Sequence, residues 1–208
     1  RLRQLTVLTI VDIRAVGPGT WNSWKRQLIA ELYNAAEERL RLGHALHGRP
    51  ERVAAKKARV AERLGQRSTL VETAGSQLGD AYWIAEPEDI IAMNLAQLDA
   101  AGGAPLSIAT EYYAARGATL VTVVAADHPG LFYRIAGAIS LGGANILDAR
   151  IHTTRDGMAL DNFVVADPLD RPFNEPTQLA RLKRTIEDVL TGKVRLADLV
   201  GREMVTPV

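Results

Sequence analysis

The sequence predicts an α+β chain: a helical first half, then a ferredoxin-like sheet whose elements run β-α-β-β-α. Three observations carry that prediction. Apolar residues recur at helical spacing as far as Ala101. From Thr119 to Ala126 the chain becomes an unbroken β-branched and apolar run, TLVTVVAA, as in a buried strand. Beyond it, Asp127-His128-Pro129-Gly130, Gly142-Gly143 and Asp156-Gly157 cut the remaining pattern into a helix, two strands and a second helix.

In the first half, Leu2, Leu5 and Leu8 form a helical stripe whose next position is Asp12. A carboxylate on an apolar stripe is costly to bury unpaired. Two readings stand: a helix-end Asp bonded to nearby backbone before the Gly17-Pro18-Gly19 break, or a metal ligand whose partners lie upstream. Trp21, Trp24, Leu28, Leu32 and Ala35 follow as the inner stripe of a long helix reaching about Gly43. A third helix, about Glu51 to Leu64, carries Val53, Val60 and Leu64. Between Arg39 and Arg67 the only acidic residues are Glu51 and Glu62, as on the solvated face of a linker helix. Gly75-Ser76 with Asp80 lacks the D-x-D that a nucleotidyltransferase opening needs. Glu86-Pro87-Glu88-Asp89 starts a helix through Ile90, Ile91, Met93, Leu95 and Leu98, closed by Ala101-Gly102-Gly103. Leu106 to Thr110 reads as a short strand and Tyr112 to Gly117 as a hinge.

In the second half, Pro129 suits a first helical turn, with Asp127 or His128 as cap. Leu131, Phe132, Ile135, Ala136 and Ile139 keep helical spacing up to Gly142-Gly143. Asn145 leads into a strand from Ile146 to Thr153, where Leu147, Ala149 and Ile151 alternate with Asp148, Arg150 and His152: one face buried, one polar. Asp156-Gly157 suits a two-residue hairpin turn, and Met158 to Ala166 pairs back. The last helix carries Leu179, Leu182, Ile186, Val189 and Leu190, capped near Thr177 and ended by Gly192. The final strand of a βαββαβ unit is doubtful, with Glu203 to Pro207 (EMVTP) its one candidate.

Composition narrows the function. The 208 residues are 47% hydrophobic and carry a net charge of +1, so no bulk pull toward nucleic acid or an anionic membrane is expected. The absence of Cys excludes disulfides and thiol chemistry and fits a cytoplasmic setting. No apolar run approaches the roughly 20 residues of a membrane span. The chain starts at Arg1 inside a periodic apolar pattern and reads as a piece of something longer. An RNA-binding sheet would show stacking aromatics, and the two strands from Ile146 to Ala166 hold only Phe163.

The chemistry concentrates in the loop after the TLVTVVAA strand. Backbone N–H groups around Gly130-Leu131 at a helix head make an anion site suited to a carboxylate. Gly142, Gly143 and Asn145 form a second small-residue loop, and a ligand with carboxylate and ammonium groups could use these amides together with Asp127. The alternative is that Gly and Pro merely shape two tight turns. His128 and His152 have no nucleophile in register and read as surface or turn histidines, so this half looks like a binding module rather than an active site.

Asp127-His128-Pro129-Gly130-Leu131, Gly142-Gly143-Ala144-Asn145-Ile146 and the hairpin TTRDGMALD, Thr153 to Asp161, together resemble an ACT domain. The likeness is to the first ACT domain of the bifunctional uridylyltransferase/uridylyl-removing enzymes that modify the PII nitrogen-signalling protein. Leu8 to Ala15 followed by Trp21-Asn22-Ser23-Trp24-Lys25 resembles the end of their HD hydrolase domain. The resemblance implies residues 1–45 as HD-domain helices, 46–116 as a helical linker and 117–208 as the ACT domain. It matches Asp12 to the final metal ligand of an HD site, one part of a site for Mg or Mn in a full-length parent, with no metal expected on this piece alone. It implies glutamine as effector, held near Asp127, His128, Gly130, Leu131, Gly142, Gly143, Asn145 and Ile146. It implies a parent nucleotidyltransferase and phosphodiester hydrolase acting on PII with UTP as substrate, ACT–ACT pairing within or between chains, and no catalytic residues in this piece. A stand-alone amino-acid-binding ACT regulator is the competing expectation.

Overall fold

The structure, a computed structural model, describes residues 1–17, 20–21, 23–42 and 48–196. It divides into two compact units, Arg1–Gly48 and Arg49–Val208. The first holds helices α1 (Leu2–Ala15) and α2 (Ser23–Leu42). The two meet where the Arg3 Nε donates to the Tyr33 hydroxyl at 3.1 Å, along a cleft lined by Val7, Ile10, Trp21 and Ile29. The expected stripes point elsewhere: Leu5 and Leu8 on α1, and Leu28 and Leu32 on α2, are exposed. Each helix is apolar over more than one face, and a single partner helix covers only one of them.

The second unit opens with α3 (Arg49–Leu64), two 3-10 turns (Gly65–Val71 and Ala74–Gln77), α4 (Asp80–Ala85) and α5 (Glu88–Ala101). Then follow β1 (Leu106–Tyr113), β2 (Ala118–Ala126), α6 (Leu131–Leu141), β3 (Asn145–Thr153), β4 (Met158–Ala166) and α7 (Pro176–Leu190). The strands form one four-stranded sheet in the order β1-β2-β4-β3, with every neighbouring pair antiparallel. The α+β class and the ferredoxin-like β2-α6-β3-β4-α7 core are as the sequence predicts.

The fourth strand comes from upstream. β1 runs beside β2 from Leu106 opposite Ala125 to Tyr113 opposite Ala118, taking in residues read as a hinge. The turn back is only Ala114–Arg116, released by Gly117 at φ 56°. The expected boundary at residue 116 therefore falls inside a hydrogen-bonded strand pair. The candidate strand Glu203 to Pro207 lies outside the described residues.

Helices cover both faces of the sheet. Val121, Val123, Phe163 and Val165 pack with Leu131, Ile135, Ile139, Leu182 and Ile186 of α6 and α7. On the opposite face Val124 and Leu160 join Val53, Val60, Leu70, Trp83, Ile91 and Leu95. Strands buried on both sides read as continuous apolar runs, which accounts for TLVTVVAA. Each such side chain contributes about 1.5–3 kcal/mol when fully buried.

Three local details differ from expectation. The β3–β4 connection is a four-residue loop closed by the Gly157 N–H on the Thr154 carbonyl at 3.0 Å, and there only Gly157 takes a positive φ, 85°, so Asp156 stays in ordinary turn geometry. A bulge between Ile146 and Asp148 sends Leu147 to the α5 side, where it packs with Ile90 and Leu120. Helix α7 is capped by Glu175, whose carboxylate accepts from the Gln178 N–H at 2.8 Å, rather than by Thr177. Among the described residues no helix is long and apolar enough to cross a membrane.

Candidate functional site

The site begins where β2 stops. The Asp127 N–H donates to the Gly157 carbonyl at 3.4 Å, tying the loop to the β3–β4 hairpin. His128 is exposed, its Nδ1 3.1 Å from the Pro129 carbonyl. Gly130 sits at φ 86°, a left-handed conformation that favours glycine, and no side chain caps the helix. The Leu131 N–H is turned back onto the His128 carbonyl at 3.1 Å, and the Leu131 side chain is buried in the core. The open donors expected at Gly130-Leu131 therefore shift one residue onward, to the first turn of α6, where N–H groups lack intrahelical partners. A side chain at Gly130 would meet nothing within 4 Å, so the approach to that turn is clear.

Two carboxylates stand beside this helix head. Asp127 Oδ2 accepts from the Thr153 hydroxyl at 3.0 Å. Asp161, opposite Ile151 in the β3–β4 ladder, shares its face of β4 with Ala159 and Phe163. It is 1% exposed, and its Oδ1 has no hydrogen-bond partner. Burial, then the nearby Asp127 charge, push its carboxyl up to about 6, with His152 pulling the other way. Phe132, on the first turn of α6, stacks on Phe163 at 5.7 Å. Phe132 and Ile151 remain about half exposed and form an apolar rim. Sequence reasoning passed over Asp161, although a carboxylate inside an apolar strand buried on both sides was the available signal.

The second loop lies at the other end of α6. Asn145 pairs with Ala166, whereas Thr153 pairs with Ala159 beside the Asp127 loop. Eleven helical residues separate the two loops, a rise of about 16 Å. Gly142, Gly143, Asn145 and Ile146 are therefore not brought to Asp127 within one chain. Gly142 has a packing role: an added Cβ would lie 2.6 Å from Leu182 Cδ1. Gly143, at φ 87°, has open space in front of it, Asn145 is exposed, and Ile146 packs on the core.

On the opposite face of the sheet is a polar cluster that the sequence did not reveal. Glu86 has no solvent exposure. Its carboxylate lies 2.7 Å from His152 Nε2 and 3.4 Å from Arg150 Nη1. His152 is thus neither a surface nor a turn residue. The Thr122 hydroxyl donates to Asn162 Oδ1 at 2.9 Å, and Asn94 Nδ2 donates to the Tyr82 hydroxyl at 2.9 Å. Burial, with Glu86 nearby, pushes the Tyr82 phenol up. Lys56 donates to the Glu86 carbonyl at 2.8 Å, and burial pulls its ammonium down. These groups hold α3–α5 against the sheet.

Asp12 is exposed on α1. Among the described residues no group of three or more His, Asp or Glu side chains is placed to hold a metal ion.

Compared with known proteins, the chain is 63% identical over 208 residues to a bifunctional uridylyltransferase/uridylyl-removing enzyme of Novosphingobium aromaticivorans, covering all of this chain and 23% of the relative. Identity to the enzyme of the same name from Erythrobacter litoralis is 61% over 204 residues, covering 97% of this chain and 22% of the relative. The chain corresponds to one segment of the enzymes that carry this name. The Zymomonas mobilis enzyme is 43% identical over 199 residues, covering 94% of the chain and 22% of that relative. The chain thus spans less than a quarter of the length of these relatives. No family model and no solved structure matches it.

Proposed function

We propose that this chain is the regulatory, carboxy-terminal portion of a PII uridylyltransferase/uridylyl-removing enzyme working in the cytoplasm. In this reading the segment from about residue 117 is an ACT domain that senses glutamine. In the whole protein it controls transfer of UMP from UTP to PII and hydrolysis of UMP from PII. Residues 1–45 are the last helices of the HD hydrolase domain, with Asp12 one ligand of its Mg or Mn site, and 46–116 lead from there into the sheet, with β1 as its edge strand. The chain by itself performs neither reaction.

The observation that supports this reading best is the open head of α6 at Gly130, with Asp127 beside it: a positive helix end and a carboxylate suit the two charges of an amino acid. Regulation needs a ligand with different affinity for two arrangements of the molecule. A route for it exists in the hairpin that Asp127 touches. There the Arg155 N–H donates to the Gln77 carbonyl at 2.9 Å, and the Gln77 amide, turned so that its nitrogen faces the carboxylate, donates to Asp156 at 2.7 Å, so effector loop and helical layer share one hairpin. Gly143 and Asn145 join the site only across an ACT–ACT pair, because α6 separates them from Asp127. Calorimetric titration of the chain with glutamine, beside glutamate as control, tests the reading. Saturable heats with glutamine alone support it, and heats with neither, or equally with both, count against it.

A further inference from the structure

Asp161 is a poor choice for stability. Its row on β4 is Ala159, Asp161 and Phe163, and its neighbours in the ladder are Val123 and Ile151. An apolar residue or an amide would fill the place without a buried charge. Yet the carboxylate sits there at 1% exposure with Oδ1 unmatched by any donor. A second carboxylate, Asp127, lies close enough to add like-charge repulsion. A buried acceptor without a donor, doubled by a neighbouring charge of the same sign, is an arrangement completed by a cation.

The surroundings say which kind. Among the described residues no third His, Asp or Glu joins the pair, whereas a hard divalent ion takes six or more oxygen ligands. An ammonium needs only a few acceptors, each forming a charge-assisted hydrogen bond. Beside the pair, the uncapped head of α6 favours a negative group. A ligand with both charges and an aliphatic stem fits the whole, its stem lying against half-exposed Phe132 and Ile151. We propose that Asp161, working with Asp127, is the acceptor for the α-ammonium group of the amino-acid effector. This rests on the amino-acid-sensing reading above and adds to it the residue that distinguishes an amino acid from a simple carboxylic acid.

The test uses two ligands and one substitution. L-Glutamine and glutaramate, which is glutamine without its amino group, are titrated into the wild-type chain and into Asp161→Asn. Asn keeps the side-chain shape, removes the charge and exchanges one acceptor oxygen for an NH2 donor. The expected result is at least a tenfold loss of glutamine affinity in Asp161→Asn. Glutaramate should bind the wild type at least tenfold more weakly than glutamine and be indifferent to the substitution. Carbon-13 spectra of the Asp161 carboxyl give a readout that a merely structural residue would not move: its titration midpoint should fall on saturation with glutamine but not with glutaramate. If glutamine binds wild type and Asp161→Asn equally, the ammonium assignment is overturned while the sensing function survives. If glutamine does not bind the wild type at all, the sensing function falls and takes the assignment with it.

Discussion

His152 Nε2 lies 2.7 Å from Oε1 of Glu86, a carboxylate with no exposure to solvent. The pair joins the hairpin end of β3 to the link between α4 and α5, across 66 positions of sequence. Around it, Arg150 reaches Glu86 Oε2 and Asp148, Asn162 Nδ2 lies 3.4 Å from Glu86 Oε1, and the Tyr82 ring meets His152 edge-on at 4.8 Å. The polar face of β3 is turned toward protein, and helices α3–α5 are fixed to the sheet by charge as well as by apolar contact.

Replacing Glu86 with Ala should therefore destabilise the Arg49-onward unit by roughly 3–5 kcal/mol, the usual cost of removing one member of a buried ion cluster. Replacing His152 with Ala should cost less, because Arg150 still pairs with Glu86. Urea unfolding followed by tryptophan fluorescence reads both, since buried Trp83 belongs to the same helical layer. Equal effects from the two variants would contradict this ranking.

Tyr82 tests the neutral part of the cluster. Its hydroxyl accepts from Asn94 Nδ2 at 2.9 Å, with both residues buried. Tyr82→Phe keeps the ring contacts with Trp83 and His152 but strands the Asn94 amide, at a cost of about 1–3 kcal/mol. In an Asn94→Leu background the same change should cost markedly less. A double-mutant cycle measured by chemical denaturation checks this, and additive effects would refute the coupling.

Much of this fold was legible because its boundaries are written in turn residues. The stops at Gly102, Gly117, Gly130 and Gly157 all fall at positive φ, and the unbroken apolar run of β2 announced a strand covered on both faces. What covers the second face was not legible. Asp148, Arg150 and His152 look like a solvated edge until Glu86 and Arg116, distant in sequence, arrive against them. Glu86 itself read as a helix start, since nothing in Glu86-Pro87-Glu88-Asp89 sets it apart from the acidic residues that follow it. The loop at Asp127 and Gly130 was readable from its turn chemistry. The separation of Gly143 and Asn145 from it follows from the crossover itself, because a helix joining two parallel strands begins at one end of the sheet and ends at the other.

Gly142 separates packing from backbone conformation. Its φ is −70°, which any residue adopts. An added methyl would instead strike Leu182 Cδ1 at 2.6 Å, with the Ile139 carbonyl at 3.2 Å, and Leu182 is fully buried. Gly142→Ala should cost about 1–3 kcal/mol through overpacking, and the same change should cost less in a Leu182→Ala background, where the space is free. Gly143→Ala meets nothing within 4 Å but sits at φ 87°, so its cost of about 1–2 kcal/mol should be the same with or without Leu182. Denaturation midpoints of the two glycine variants in both backgrounds distinguish the two causes.

Asp161 should make stability depend on pH in an unusual direction. Its carboxyl is raised from 3.8 to about 6 in the folded chain, by burial first and by Asp127 next, against the opposing pull of His152. A raised carboxyl means that the folded state holds its proton more tightly than the unfolded state. The contribution is therefore fully present below the unfolded value and is lost as pH rises through the folded one. Asp161→Asn cannot titrate, so the two proteins should be closest in stability near the lower limit of that window. The variant should gain about 3 kcal/mol over wild type once the pH is above it. Urea titrations without ligand across this range measure the gap, and a gap that does not change with pH would show that Asp161 ionises normally. A variant that is more stable in the absence of glutamine and binds it less well would mark Asp161 as a residue retained for the ligand at the expense of the fold.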